Sequence, residues 1–172
     1  MNRKITVFLM LLSCLLLQSN IFSHLKISMV EPNLFIILVT SYAFMRGQKA
    51  GLYVGLISGF IFDLFWGETL GLYMLIFGVL GYANGSFHRL FYDDDLKLPL
   101  GMIAVSELIY GIISCFCIYI LDGSFSLFVC FYKIIIPELI YTVILALPIY
   151  PLIFRINQHL ENKELRSKSR FV

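Results

Sequence analysis

Charged side chains are scarce in this 172-residue chain: Asp, Glu, Lys and Arg together make up 14% of it, against about 25% in soluble domains. A surface so poor in charge excludes an ordinary water-soluble fold. Long polar stretches are missing too. The longest non-spanning pieces are the loop at 88–97 and the tail from Arg155, which leaves little room for a catalytic or ligand-binding domain outside a bilayer. Histidine is rare. His24, His88 and His159 fall on different segments, and no two of them have helical metal-ligand spacing. No serine or cysteine has a histidine placed to activate it, and no glycine-rich phosphate loop follows a strand. The expectation is a protein with no enzymatic activity, no metal, no cofactor and no nucleic-acid partner. The four cysteines, Cys14, Cys115, Cys117 and Cys130, do not make a paired extracellular framework. Cys115 and Cys117 point to nearly opposite faces of a helix. All four are read as separate thiols facing lipid or core.

What the chain has in abundance is apolar residues: 59% of the total, with a mean hydropathy of +0.86. They fall in runs at about 5–22, 32–45, 50–66, 70–87, 98–121 and 134–154, with 125–132 at the interface and a basic tail over 155–172. Inside hydrocarbon every backbone N–H and C=O must be paired within the protein, so apolar runs of this length predict helices. The alternating pattern of barrel strands is absent from them. The expected fold class is an all-α integral membrane protein, one polytopic domain over 1–172 built as a bundle of about six transmembrane helices.

Charge placement gives an orientation. With six spans and the N-terminus inside, eleven basic residues lie inside, among them Arg3, Lys4, Arg46, Lys49, Arg89, Lys97 and Arg155, and only Lys26 and Lys133 lie outside. That asymmetry is the positive-inside pattern. The run 32–45 is short for a span, and five helices with the N-terminus outside would divide the charges almost as well. Six is preferred because the charges before the first helix usually set orientation. Both termini are then cytoplasmic.

Three features stand out within the apolar runs. Gly47, Gly51, Gly55 and Gly59 recur every four residues, and Asp63 continues the row. Small residues on such a ridge let a second helix approach closely, which drives association in lipid. The expectation is a tight pair with the fourth helix, which carries Gly67, Gly71, Gly78, Gly81 and Gly85, with a face toward another protein as the alternative. Asp63 reads either as a cap for the turn into the fourth helix or as a buried contact locking helices or a partner. Glu107, with Gly111 and Ser114, makes a small polar face that must turn from lipid. Glu138 follows Pro137 at the expected head of the last helix, where a proline and a carboxylate are both favourable. Lys133 is a partner for Asp63 or for Glu138. Glu107 is placed in the inner half and the other two carboxylates near the outer face, so a shared site is not expected. The abundant Tyr and Phe are read mostly as lipid contacts.

Taken in order along the chain, these motifs resemble a family. Gln18-Ser19 closes the first run and Pro32-Asn33-Leu34 opens the second. Gly51, Gly55, Gly59 and Asp63 are followed by Gly67 and Gly71, and Pro137, Tyr141 and Thr142 open the last helix. The order, spacing and length are similar to those of the bacterial rod shape-determining MreD family across essentially the whole chain. The resemblance carries over Pro32, Asn33, Asp63, Pro137 and Tyr141 as recurring family positions. Thr142 departs from the asparagine often found there, and no role is assigned to it. The resemblance implies a non-enzymatic subunit of the cell-elongation machinery in the bacterial cytoplasmic membrane. The partners it implies are an MreC-like protein, the actin-like MreB filament and the peptidoglycan polymerase and transpeptidase. It also implies a fold similar to the substrate-binding subunits of energy-coupling-factor transporters. Such a vitamin-transporter subunit is the alternative function. Against it, the outer loops are short and no cluster of polar and aromatic residues marks a ligand cage.

Overall fold

The shortest apolar run forms the centre of the molecule. In the computed structural model, which describes residues 3–22, 30–67, 70–90, 97–122 and 130–168, helix α2 (Leu34–Arg46) is buried at every position from Leu34 to Met45. A helix that is apolar all round has no polar face to show to water and is stable only when surrounded. Around it stand α1 (Arg3–Leu16, widening into a π-helical turn over Leu17–Phe22), α3 (Gln48–Trp66), α4 (Leu72–Ser86), α5 (Lys97–Asp122) and α6 (Ile136–Lys168). The protein is thus an all-α membrane protein, with six helices among the described residues. Among the described residues three stretches are long and apolar enough to cross a bilayer, Gln48–Trp66, Lys97–Cys117 and Phe131–Lys163, while Ile5–Asn20 and Leu34–Arg46 are shorter apolar helices.

The outer helices each bury one stripe and expose another that is just as apolar. On α5 the buried residues Ile103, Ser106, Glu107, Tyr110, Ser114 and Cys115 recur at helical spacing. Between them Val105, Ile109, Ile112 and Phe116 are exposed. On α6, Thr142, Ala146, Tyr150, Ile153, Asn157 and Leu160 face inward, and Ile140, Ile144, Leu147 and Leu152 face outward. Side chains of this size exposed around a whole bundle would aggregate in water. In hydrocarbon they are the solvent-facing surface.

The largest helix–helix interface joins α3 to α4. A β-carbon added at Gly51 would fall within 3.0 Å of the Gly81 backbone, one at Gly55 would meet Phe77, and one at Gly59 would meet Tyr73 and Met74. Gly85 and Gly81 answer against Gln48 and Gly51. Gly47 stands apart from this row. It is the hinge between α2 and α3, with φ +88°, a conformation that side chains other than glycine rarely adopt.

The last helix begins earlier than its apolar run suggests. From Cys130 a helical path enters a π-helical turn at Phe131–Ile135 and passes straight into α6. Pro137 explains the wide turn: a proline has no N–H to give to the carbonyl four residues back, and a π turn accommodates that lost bond. Pro148 and Pro151 lie further inside the same helix. Many aromatic side chains face outward as expected, among them Phe8, Tyr53, Phe60, Phe65 and Phe116, but others meet inside the bundle. Phe35, Phe62, Trp66, Tyr73, Phe77 and Tyr110 form one connected cluster inside the bundle, with ring centroids 4.8–6.5 Å apart. Rings on four different helices meet there, which no single-helix periodicity reveals. Finally, Cys115 and Cys130 are not separate thiols but are joined by a disulfide, while Cys14 and Cys117 are free.

Candidate functional site

Asp63 ends the glycine row, and its side chain is 2% exposed. Its carboxylate accepts three backbone N–H groups, from Gly71, Tyr73 and Met74, each at 3.0 Å. These belong to the first turn of α4, whose own N-cap, Gly71, brings no side chain to the task. The first N–H groups of a helix have no intrahelical partners, and a carboxylate is the acceptor best matched to them and to the helix dipole. Charge-assisted bonds of this kind contribute about 1.5–3 kcal/mol each. Asp63 thus fastens the end of α3 to the start of α4, and Lys133, exposed at the surface, is not its partner among the described residues.

A second join lies at the same end of the bundle. Gln18, buried in the π-helical turn after α1, donates its amide to the Pro32 carbonyl at 2.8 Å and accepts the Leu34 N–H at 3.0 Å. Asn33 caps α2 by accepting the Ile36 N–H at 3.2 Å. Its own backbone N–H goes to Oγ1 of Thr142 at 3.0 Å. α1, α2 and α6 are therefore tied at one point, and Thr142 has a structural role that its departure from the family pattern concealed. Pro137 and Tyr141 lie one face away on α6, where with Ile136, Ile140 and Ile144 they line an apolar hollow of about 280 Å³.

The third element of the site is a correction to the expected separation of carboxylates. Cys115 meets Cys130 and Gly111 packs on Ile135. Continuing that antiparallel register by one turn sets Glu107 opposite Glu138. Glu107 indeed lies beside Glu138 and Thr142, and Glu138 in turn has Glu31 nearby. The reason is the early start of the last helix: Glu138 sits two turns inside the helical path rather than at its head. Glu107 is 1% exposed, and its carboxyl faces Glu138 and Thr142 without a contact of full hydrogen-bond geometry among the described residues. Ser114 Oγ and Asn33 Nδ2 are also buried without one. Tyr110, on the same face of α5, packs against Tyr73 and Phe77.

The opposite end of the bundle is held by residues that sequence reasoning passed over. Arg46 donates Nε to Asn157 at 2.6 Å, tying α2 to α6. His88 Nδ1 lies 2.8 Å from the Phe44 carbonyl, and Gln48 donates to Ser86 at 2.9 Å. In the middle, Asn84 bridges α4 to Ser106 on α5 at 2.8 Å. The signal for all of these was available only as isolated polar residues in or beside apolar runs. Asp63, Glu107, Asn33 and Thr142 converge on one end, and Gly51, Gly55 and Gly59 lead toward it between α3 and α4. Among the described residues no group of three or more His, Cys, Asp or Glu side chains is gathered in a way that would hold a metal ion.

These features define a class: a small polytopic membrane protein whose intramembrane polar residues join its own helices to one another. Within that class the particular family follows from comparison. The sequence model described as rod shape-determining protein MreD matches residues 2–160, and the chain belongs to this family. Its role therefore lies in the determination of rod shape. No curated protein and no solved structure matches the chain significantly.

Proposed function

We propose that this protein is a non-enzymatic scaffold subunit of the bacterial cell-elongation machinery, helping to organise lateral peptidoglycan synthesis from within the cytoplasmic membrane. The observation that carries the reading is the use made of the buried polar groups. Asp63, Gln18, Asn33 and Thr142, with the half-buried Arg46, are engaged in fastening helices, which leaves the apolar outer faces of the described helices open to other membrane helices. The basic residues Arg46, Lys49, Arg89, Lys97 and Arg155 gather at the end opposite Asp63. With both termini cytoplasmic, that end faces the inner surface, as the positive-inside pattern favours. An MreC-like protein is the proposed membrane partner, with the MreB filament below and the polymerase and transpeptidase beside it.

A second reading, a small-molecule-binding transporter subunit, is favoured by one observation: Tyr110, packed against Tyr73 and Phe77, lies beside Glu107 and Ser114. Affinity purification from gently solubilised membranes separates the two. Recovery of an MreC-like protein in stoichiometric amount is the expected result. Recovery of transporter ATPase components instead would overturn the scaffold reading.

A further inference from the structure

The Cys115–Cys130 pair has a place in the fold that the family assignment leaves unexplained. The two Cα atoms are 6.5 Å apart, within the distance a disulfide spans. Both side chains are buried and, with Ile135, form a small apolar cluster of their own, so a bond made before the helices close is shielded in the folded protein and becomes reachable by reductant as it unfolds. The pairing is selective, since Cys14 and Cys117 stay free. Its location is equally specific. α5 starts at Lys97 beside the basic end of the bundle, and eighteen residues at about 1.5 Å each carry Cys115 most of the way to the opposite end. Disulfides persist in oxidising compartments and are rare in the cytosol.

We propose that Cys115 and Cys130 are a modification site, oxidised from the outer face of the membrane by a protein of the thiol–disulfide oxidoreductase class. One cysteine thiolate attacks a sulfur of the oxidant's disulfide, giving a mixed disulfide and releasing one oxidant thiolate. The second cysteine thiolate then displaces the other oxidant sulfur, so the Cys115–Cys130 bond forms as the oxidant becomes a dithiol. Two electrons pass to the oxidant, and the two protons lost by the cysteines end on its thiols. The bond fixes the register of α5 against the helical path into α6, the same register that holds Glu107 opposite Glu138. A covalent link about two turns from both Glu107 and Glu138 holds that alignment independently of the contact between the two carboxyl groups. This proposal rests on the orientation given above.

The test is a thiol count on the full-length protein, acid-quenched in whole cells, denatured in detergent and labelled with a maleimide–polyethylene glycol reagent. The expected result is two labelled thiols without reductant and four after reduction, with three labelled in Cys115→Ser without reductant. Four thiols labelled without reductant would overturn the proposal. Orientation is read separately in Lys133→Cys, which a membrane-impermeant maleimide should reach from outside intact spheroplasts. Labelling of that variant only after lysis would overturn the orientation, whereas outside labelling with four free thiols would overturn the disulfide alone. A further readout tests the register lock: reductant should lower the unfolding temperature of the wild type by several degrees and leave the Cys115→Ser/Cys130→Ser variant unmoved. An equal response of both proteins contradicts it.

Discussion

Two carboxylates in the same bundle have opposite relations to stability. Asp63 has three backbone donors and a helix start to satisfy, so its removal leaves those N–H groups unpaired in a dry place. Asp63→Ala should cost on the order of 3 kcal/mol or more, read as a lowered unfolding temperature and poor accumulation in membranes. Asp63→Asn keeps one acceptor oxygen and should fall between the two. Glu107 is buried with its carboxyl against Glu138 and Thr142 and not on a row of backbone donors, and a buried carboxyl pair of that kind contributes little to holding a fold together. Glu107→Gln should therefore unfold at the same temperature as the wild type or above it, while losing the ability to restore cell shape if the carboxyl serves a partner. A clear drop in unfolding temperature would show that the carboxyl has a stabilising contact. The capping role of Asp63 was legible because the residue ends a glycine row just before a turn. The position of Glu107 was not, because its neighbour Glu138 was placed at a helix head that the π-helical turn moves two turns away.

Helix pairs show the same division between what a sequence displays and what it conceals. A row of glycines every four residues on α3 declares a close approach, and the backbone of α4 fills it at Gly81, Phe77 and Met74. Gly55→Leu puts a branched side chain where a backbone already sits. Overpacking of this kind costs about 1–3 kcal/mol even in cores that can relax, so membrane levels should fall markedly on an immunoblot. Gly101 on α5 is the control, since nothing lies within 4 Å of a β-carbon built there, and Gly101→Ala should accumulate normally. The central helix was harder to read. Its 13 residues are short for a span, and only the surrounding five helices show why: a core helix need not meet lipid along its length. Contacts such as Arg46 with Asn157, Thr142 with Asn33 and Cys115 with Cys130 join residues brought together by tertiary structure, and no local pattern announces them.

At the scale of the whole molecule, the low charge content already implied membrane helices, and the chain proves apolar both inside and out. Its polar residues are therefore the informative minority, and most of them sit at two levels, one joining α1, α2, α3, α4 and α6 around Asp63 and Asn33, the other joining α2 to α6 and α3 to α4 around Arg46 and Gln48. A bundle pinned at both ends, with α4 and α5 bridged between them by Asn84 and Ser106, is consistent with the proposed platform. Family membership connects that platform to rod shape. The most direct measurement is depletion of the protein in its own host, with cell shape followed by microscopy and vitamin uptake measured in parallel. The account predicts rods that widen and round as the protein is lost, with uptake unchanged. Cells that remain rod-shaped while losing uptake of a vitamin would contradict it.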